Sequence, residues 1–391
     1  MKVKKLLRSN ILGSYDKYQI NRKRSAEINK FKDEERVKIL SSVELTDEQK
    51  KEIDDVFLKN YGEKIPYTWH KYFTAYTGQF DKYYFPELLF IPEFEHFINS
   101  ETHYAKAFED KNVLRLLAQS AGVKMPATVF SCSSGIIQDG ERKITDLKSV
   151  CKLSGEYFIK PTVDTSSGVG CQVIRVNNGV DEITGKPLMT ILSEKGINWV
   201  IQERLQCYSE IAKIYPNSVN TFRIMTYVWK NEISHVPIIM RIGQGGANVD
   251  NAHAGGMFIA VDDDGTLHKK AFTEFRKEFT EHPDTKLVYE GYKISLVPEV
   301  IKVAEKCHSL IPQIGCINWD FTINADGEPV LIEANICGGS IWLFQMAHGV
   351  GAFGERTPEI LRWMKHNKSI KKSERYLYKY GNNYKKIFNI K

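Results

Sequence analysis

Asp320, Glu333 and Asn335 are the residues whose type and spacing most directly specify chemistry. They lie in the segment CINWDFTINADGEPVLIEAN, residues 316–335. Within it, Asp326-Gly327 is a strong signal for a two-residue hairpin turn. With that turn Asp320 falls directly opposite Glu333, and side-chain alternation puts Asn335 on the same face. The other face would carry Ile317, Trp319, Phe321 and Ile323 against Val330, Ile332 and Ala334, an apolar set that belongs in a core. Two carboxylates directly opposite one another repel. A divalent cation relieves that repulsion. Oxygens from Asp, Glu and Asn suit magnesium, which keeps waters and usually also holds substrate phosphates. The competing reading pairs the two carboxylates with Lys or Arg.

Cationic residues in apolar surroundings come next. Lys160 closes the apolar run EYFIKP (156–161) and precedes VDTSSGVG (163–170). In that loop Ser166, Ser167, Gly168 and Gly170 are small enough for backbone N–H groups to approach phosphate oxygens. It is not a Walker A loop, because GK[ST] is missing and an apolar strand pattern follows instead of a helix. An ordinary hairpin turn is the alternative. Lys111, at the start of a helical pattern, is a second candidate phosphate contact. Glu203, Arg204 and Leu205 end and follow the run WVIQE, where an extended backbone could meet an adenine edge. Arg223 and Arg241 sit inside the apolar runs FRIMTYVW and HVPIIMRI. Arginine in such a place is rarely unpaired, and it binds carboxylate or phosphate through two parallel hydrogen bonds. A long glycine-rich loop, residues 243–256, then brings Asn248, Asp250, Asn251 and His253, and polar loops of this kind often line active sites.

The elements that must position these residues are legible in outline. Residues 1–60 read as helices, one of them opened by a capping box at Thr46 and Gln49. Residues 61–100 are aromatic and irregular, and His70 there reads as a packed histidine. VLRLLAQSAG is a helix ending at Gly122. Short strands are expected at 125–130, 156–161, 171–176, 199–203, 222–229 and 235–242, then a helix over 298–310 and the hairpin at 316–335. Mixed strands and helices rich in hairpins make the chain α+β. The expected division is 1–100, a helical and aromatic N-terminal region; 101–200, a subdomain with the phosphate loop; 201–364, a subdomain with the metal site; and 365–391, a basic tail.

Composition excludes several classes. With 391 residues and 42% apolar content the chain can bury a sizeable core. No apolar run reaches the length of a membrane span, and the start lacks the long apolar stretch of a secretory signal, so a cytoplasmic protein is expected. Seven scattered cysteines, none spaced as CxxC, argue against a disulfide framework and a structural zinc site. Cys337 reads as a small packing residue. Of the net +6, residues 1–40 carry 12 basic and 5 acidic side chains and residues 365–391 carry 9 and 1, so the middle is net acidic. Such ends are either solvated or drawn to an anionic surface, such as the inner face of a membrane carrying lipid-linked glycans. No nucleic-acid-binding module is recognisable.

In order, DKN (110–112), IKP with SSGVG (159–170), QERL (202–205), NTFRIMTY (220–227), MRIGQGGANVDNAHAGG (240–256) and NWDFTI…LIEAN (318–335) resemble the ATP-grasp superfamily. The likeness is to the sugar-transfer-associated branch, from about Leu45 to about residue 350. It implies two α+β subdomains clamping ATP, preceded by the helical N-terminal region. It implies that Lys111 and Lys160 contact ATP, that the loop through Ser166, Ser167, Gly168 and Gly170 covers its phosphates, and that Glu203, Arg204 and Leu205 hold adenine. Asp320, Glu333 and Asn335 would hold Mg2+. Arg223 and Arg241, with Asn248 and Asp250 of the glycine-rich loop, would form the catalytic group.

The implied activity is ADP-forming carboxylate–amine ligation through an acyl phosphate, in surface glycan synthesis. The partners would be a small-molecule or glycan carboxylate and an amine. A dipeptide ligase, a phosphotransferase and a non-catalytic nucleotide-binding scaffold stay open, and the sequence ICGGSI after Asn335 does not identify the acceptor.

Overall fold

The computed structural model describes residues 2–99, 105–162, 170–247, 250, 252 and 255–390. Short strand-forming runs build two sheets, and the central strands of the larger one are buried along nearly their whole length. The smaller sheet contains β1 (Thr128–Ser133), β2 (Ile136–Asp139), β3 (Ile144–Thr145), β4 (Gly155–Pro161), β5 (Gln172–Asn177), β6 (Val180–Asp181) and β7 (Trp199–Glu203), in the order β3-β2-β1-β7-β4-β5-β6. The larger contains β8 (Thr221–Trp229), β9 (Glu232–His235), β10 (Ile238–Ile242), β11 (Met257–Val261), β12 (Leu267–Phe272), β13 (Glu278–Phe279), β14 (Cys316–Ile323) and β15 (Pro329–Asn335). Its order is β13-β12-β11-β10-β8-β14-β15, with β9 paired to β8. The strand pairings are antiparallel, consistent with the hairpin-rich sequence. β7 runs to Glu203, so the smaller sheet extends past the expected boundary at residue 200.

Helices cover the sheets: α1 (Lys2–Asn29), α2 (Glu34–Ser41), α3 (Asp47–Asn60), α4 (Thr68–Thr77), α5 (Lys111–Ala121), α6 (Val297–Ser309), α7 (Trp342–His348) and α8 (Thr357–Ser369). Thr46 and Gln49 form both bonds of the capping box at the start of α3. Gly122 ends α5 in the left-handed conformation.

The larger sheet is packed on both faces, and strand parity decides which side chain goes where. Phe222, Ile224, Ile317, Trp319 and Phe321 point into one core with α5 and α6. Met225, Tyr227, Trp229, Ile239 and Phe258 point the other way, into a second core with the aromatic N-terminal region and α7. His70 belongs there: it is buried between Phe57 and Tyr84, and burial pushes its pKa down to about 3. The N-terminal region therefore shares one continuous core with the larger sheet. It covers only part of that face. The rest, at the ends of β8, β10 and β14, floors a cleft of about 1130 Å³ walled by the smaller sheet.

The basic C-terminal tail is docked. Arg375 Nη1 lies 2.7 Å from Asp16 Oδ2, its guanidinium stands 4.5 Å from the Phe97 ring centroid, and Trp363 Nε1 donates to the Tyr378 carbonyl at 2.5 Å. The tail is thus anchored at these points, while residues 371–374 and 385–390 are exposed.

Candidate active site

On β4 the odd positions go to the small core, Ile159 among them, and the even positions Phe158 and Lys160 go to the cleft. Lys160 is buried, and among the described residues no carboxylate lies within ion-pair distance of it. Burial and then the neighbouring Lys111 charge lower its pKa to about 8, against the opposing pull of Glu333. Lys111 arrives by a different route. Asp110 caps α5 by accepting from Asn112 N and Val113 N, and Lys111 N donates to the Thr162 carbonyl at 3.1 Å. The side chain is buried instead of lying on the surface of a helix start, with Nζ 3.6 Å from Glu333 Oε1. Two buried lysine side chains thus converge on one wall, with the Glu333 carboxylate beside Lys111. A buried cation such as Lys160, with no carboxylate in reach among the described residues, favours an anionic ligand in the cleft.

The floor is an arginine–carboxylate network. β14 and β8 pair so that Asp320 is directly opposite Arg223. Arg223 Nε donates to Asp320 Oδ1 at 2.5 Å and Nη2 to Oδ2 at 2.8 Å. From β10, Arg241 Nη2 donates to Asp320 Oδ2 at 3.0 Å and to Thr221 Oγ1 at 2.8 Å. Asp250 supports the far side: it accepts from Thr221 N at 3.0 Å and from Thr221 Oγ1, and lies 3.6 Å from Arg241 Nε. Burial alone would raise the Asp320 carboxyl, but Arg223 and Arg241 outweigh it and hold the pKa low. At Asp250 burial wins over Arg241, and the pKa is raised. The ion-pair reading of the arginines and the cleft reading are therefore both true of the same residues.

The hairpin departs from its expected turn. Asn324 N donates to Glu328 O and Gly327 N to Asn324 O, at 2.9 Å each, so the loop has three residues, Ala325-Asp326-Gly327, with Gly327 at φ +82°. Phe321 then pairs with Leu331. A bulge between Phe321 and Asp320 restores the offset, and Asp320 pairs with Glu333 as expected. The bulge also reverses the parity of the intervening residues. Leu331 enters the core, whereas Ile332, expected there, lines the cleft.

Asp320, Glu333 and Asn335 all line the cleft. Their fit to a magnesium ion can be judged from their remaining valences. Three of the four acceptor positions of the Asp320 carboxylate are taken by the arginines, which leaves one on Oδ1. Among the described residues the ion-pair contact of Glu333 is the long one to Lys111; Asn335 lines the cleft with Nδ2 buried and unpartnered, and since that amide nitrogen is a donor, its Oδ1 is the atom that would face the ion. This hard-oxygen set fits the ion, with Asp320 as a single-oxygen ligand.

Glu203, Arg204 and Leu205 also border the cleft. Arg204 is tied to Glu156, and its Nη2 reaches the Asn217 carbonyl at 3.3 Å. Gly170 is described, at φ +78°, against Pro161. Ser166, Ser167, Gly168, Asn248, Asn251 and His253 lie outside the described residues.

Some contributors were not found by sequence reading. Phe158, Val173 and Ile332 add apolar side chains to the cleft lining. Phe158 was readable, being two residues before Lys160 on one strand face, but Ile332 was hidden by the bulge. The loop after Asn335 is held by acidic and amide groups distant in sequence. Glu109 Oε1 accepts from Ile336 N and Cys337 N at 3.1 and 2.9 Å, and Glu95 Oε1 accepts from Gly339 N at 2.9 Å. Glu87 Oε1 accepts from Ser340 Oγ and Ile341 N at 2.6 and 2.7 Å. Asn99 Nδ2 bonds the Cys316 and Ile336 carbonyls at 2.9 and 3.0 Å. Cys337 is exposed at the cleft, not packed as expected.

The cleft between two antiparallel sheets thus gathers two lysines, two arginines and an Asp-Glu-Asn hairpin, a lining suited to a polyanionic ligand. The chain belongs to the sugar-transfer associated ATP-grasp family, whose model matches residues 90–360. No curated protein matches the chain. Among solved structures it is similar to L-amino acid ligase from Bacillus licheniformis, at 16% identity and TM-score 0.39, covering 69% of this chain and 50% of that one. It is also similar to D-Alanine-D-Alanine ligase from Helicobacter pylori, at 14% identity and TM-score 0.37, covering 66% and 58%. A third is N5-carboxyaminoimidazole synthetase from Staphylococcus aureus complexed with ADP, at 13% and 0.35, covering 60% and 46%. The chain thus spans about half the length of these solved chains. Among the described residues no helix is long and apolar enough to cross a membrane.

Proposed function

We propose that the chain is an ADP-forming ligase that uses ATP to join a carboxylate to an amine, with a glycan or glycan precursor as one partner. The observation that carries this reading is the convergence, in one cleft, of buried Lys111 and Lys160 with Arg223, Arg241, Asp320 and Glu333. Apolar lining from Phe158, Val173 and Ile332 suits a planar base, and Lys111 and Lys160 in the same cleft suit the phosphates. In this reading Arg223 and Arg241 would stabilise charge growing on a transferring phosphoryl group, a role supported by Asp320, which holds both guanidinium groups in the cleft. Magnesium held by Asp320, Glu333 and Asn335 would neutralise charge on the phosphates.

The chemistry needs no protein nucleophile. A substrate carboxylate oxygen attacks the γ-phosphorus and ADP leaves. The amine then attacks the acyl carbon, loses a proton and expels phosphate. The glycan context rests on the family description alone. The basic ends, with Ile387 and Phe388 exposed next to Lys385 and Lys386 in sequence, support a further proposal, peripheral association with an anionic membrane face.

The test is release of ADP and phosphate from ATP and magnesium, screened against uronic acids and amino acids singly and in pairs. Release that needs one carboxylate and one amine together establishes the ligase. ADP without free phosphate, with a single hydroxyl compound, overturns it in favour of a kinase.

A further inference from the structure

Outside the cleft, three potential ligands meet from separate elements. Asp262 follows β11, His268 lies in β12 and His348 ends α7. One ligand atom from each, a carboxylate oxygen and two imidazole nitrogens, lie within 4.8 Å of one another. His268 Nε2 is 2.9 Å from Asp262 Oδ1, and the rings of His268 and His348 stand edge to face with centroids 4.9 Å apart. His348 Nε2 lies 2.6 Å from the Ile238 carbonyl oxygen. It must donate there, which leaves the lone pair on Nδ1. Fixing one ring nitrogen on a backbone carbonyl is how proteins orient a metal-binding histidine. An ordinary Asp262–His268 pair explains two of the residues. It does not explain a second imidazole, with its tautomer fixed, brought against the first.

We propose that Asp262, His268 and His348 form a binding site for a zinc-type first-row transition cation, with a further position open to water. With metal–ligand bonds of about 2.1 Å in a tetrahedral site, ligand atoms stand about 3.4 Å apart, so the widest pair, within 4.8 Å here, would close by up to about 1.4 Å, shared between two side chains. One carboxylate and two imidazoles select zinc, cobalt or nickel over magnesium. The ion would tie the C-terminal end of α7 to the β11–β12 hairpin. The opposite end of α7 follows Ser340 at the cleft, so the ion would brace the support of the Gly338–Ser340 loop and take no part in phosphoryl chemistry.

The test is titration of chelator-treated full-length protein with zinc by calorimetry, and with cobalt(II) by visible absorption. One equivalent of zinc should bind and raise the Tm, and the same concentration of magnesium should not. Binding should persist in Glu333→Ala and weaken at least about ten-fold in His268→Gln and Asp262→Asn, both at partly exposed positions. No binding by the native chain, or binding lost in Glu333→Ala but kept in the other two variants, overturns the proposal. If a variant misfolds, the cobalt spectrum of the native chain decides: nitrogen-ligand bands support the site and their absence sinks it.

Discussion

Asp320 faces Glu333 across β14 and β15 because two irregularities of one residue each cancel: a three-residue loop at Ala325-Asp326-Gly327 and a bulge at Ile332. The same two carboxylates differ in their surroundings. Asp320 is locked by two arginines, whereas Glu333 faces the cleft with one distant lysine.

That difference separates two substitutions. Glu333→Ala should abolish ATP turnover by at least about 100-fold while leaving unfolding nearly unchanged. Asp320→Ala leaves Arg223 and Arg241 without their shared carboxylate in a buried place, and should cost about 3–5 kcal/mol of stability as well as activity. ADP release and chemical denaturation measured on both variants check this, and equal stability losses would contradict it.

On the proposed role of Lys160 as a phosphate contact, its pKa of about 8 predicts a pH dependence of ATP binding. The ammonium is present below that value and is lost as pH rises through it. The Kd for ATP should therefore increase from about pH 8 upward, and Lys160→Met should be weak and flat across the range. Calorimetric titration at several pH values reads this directly.

Burial raises the Glu87 pKa to about 8 and the Glu95 pKa to about 7. The folded state therefore favours the neutral acids. Their contribution to stability is fully present below the ordinary glutamate value near 4.5 and is lost as pH rises through 7 to 8. Glutamine keeps the carbonyl that accepts from Gly339 N and Ile341 N. Glu87→Gln and Glu95→Gln should flatten the fall in Tm between about pH 5 and pH 8 and preserve activity. Thermal scans across that range test it.

The docked tail makes a third kind of prediction. Tyr380 accepts from Lys230 N through its carbonyl at 2.6 Å and packs on Gly315, next to the strand that carries Asp320. Removing residues 366–391 should lower Tm by several degrees and reduce activity with soluble substrates. Lys385→Glu with Lys386→Glu should spare both and weaken binding to vesicles of anionic lipid. Sedimentation with vesicles beside activity assays separates the two effects.

The capping box of α3, the α5 helix and its Gly122 stop, the strands β4, β5, β7 and β8 and the apolar face of β14 are set by local stereochemistry and side-chain periodicity, and the sequence alone determined them; β1 lies three residues beyond its expected place, and β11 and β12 were not among the expected strands. The sequence also brought Asp320 opposite Glu333, although through a turn one residue too short, and the omitted bulge misplaced Ile332. Several features were decided only by the tertiary structure. Arg223 meets Asp320 because β8 and β14, 97 residues apart at these positions, are neighbours in the sheet. Lys111 is buried because its helix start is pinned to Thr162. The aromatic N-terminal region covers one end of the larger sheet and leaves the other as the cleft floor. Residue order encodes local turns and faces directly. Which faces meet is fixed by burying apolar surface and pairing buried charge over the whole chain, and that is a property of the assembled fold.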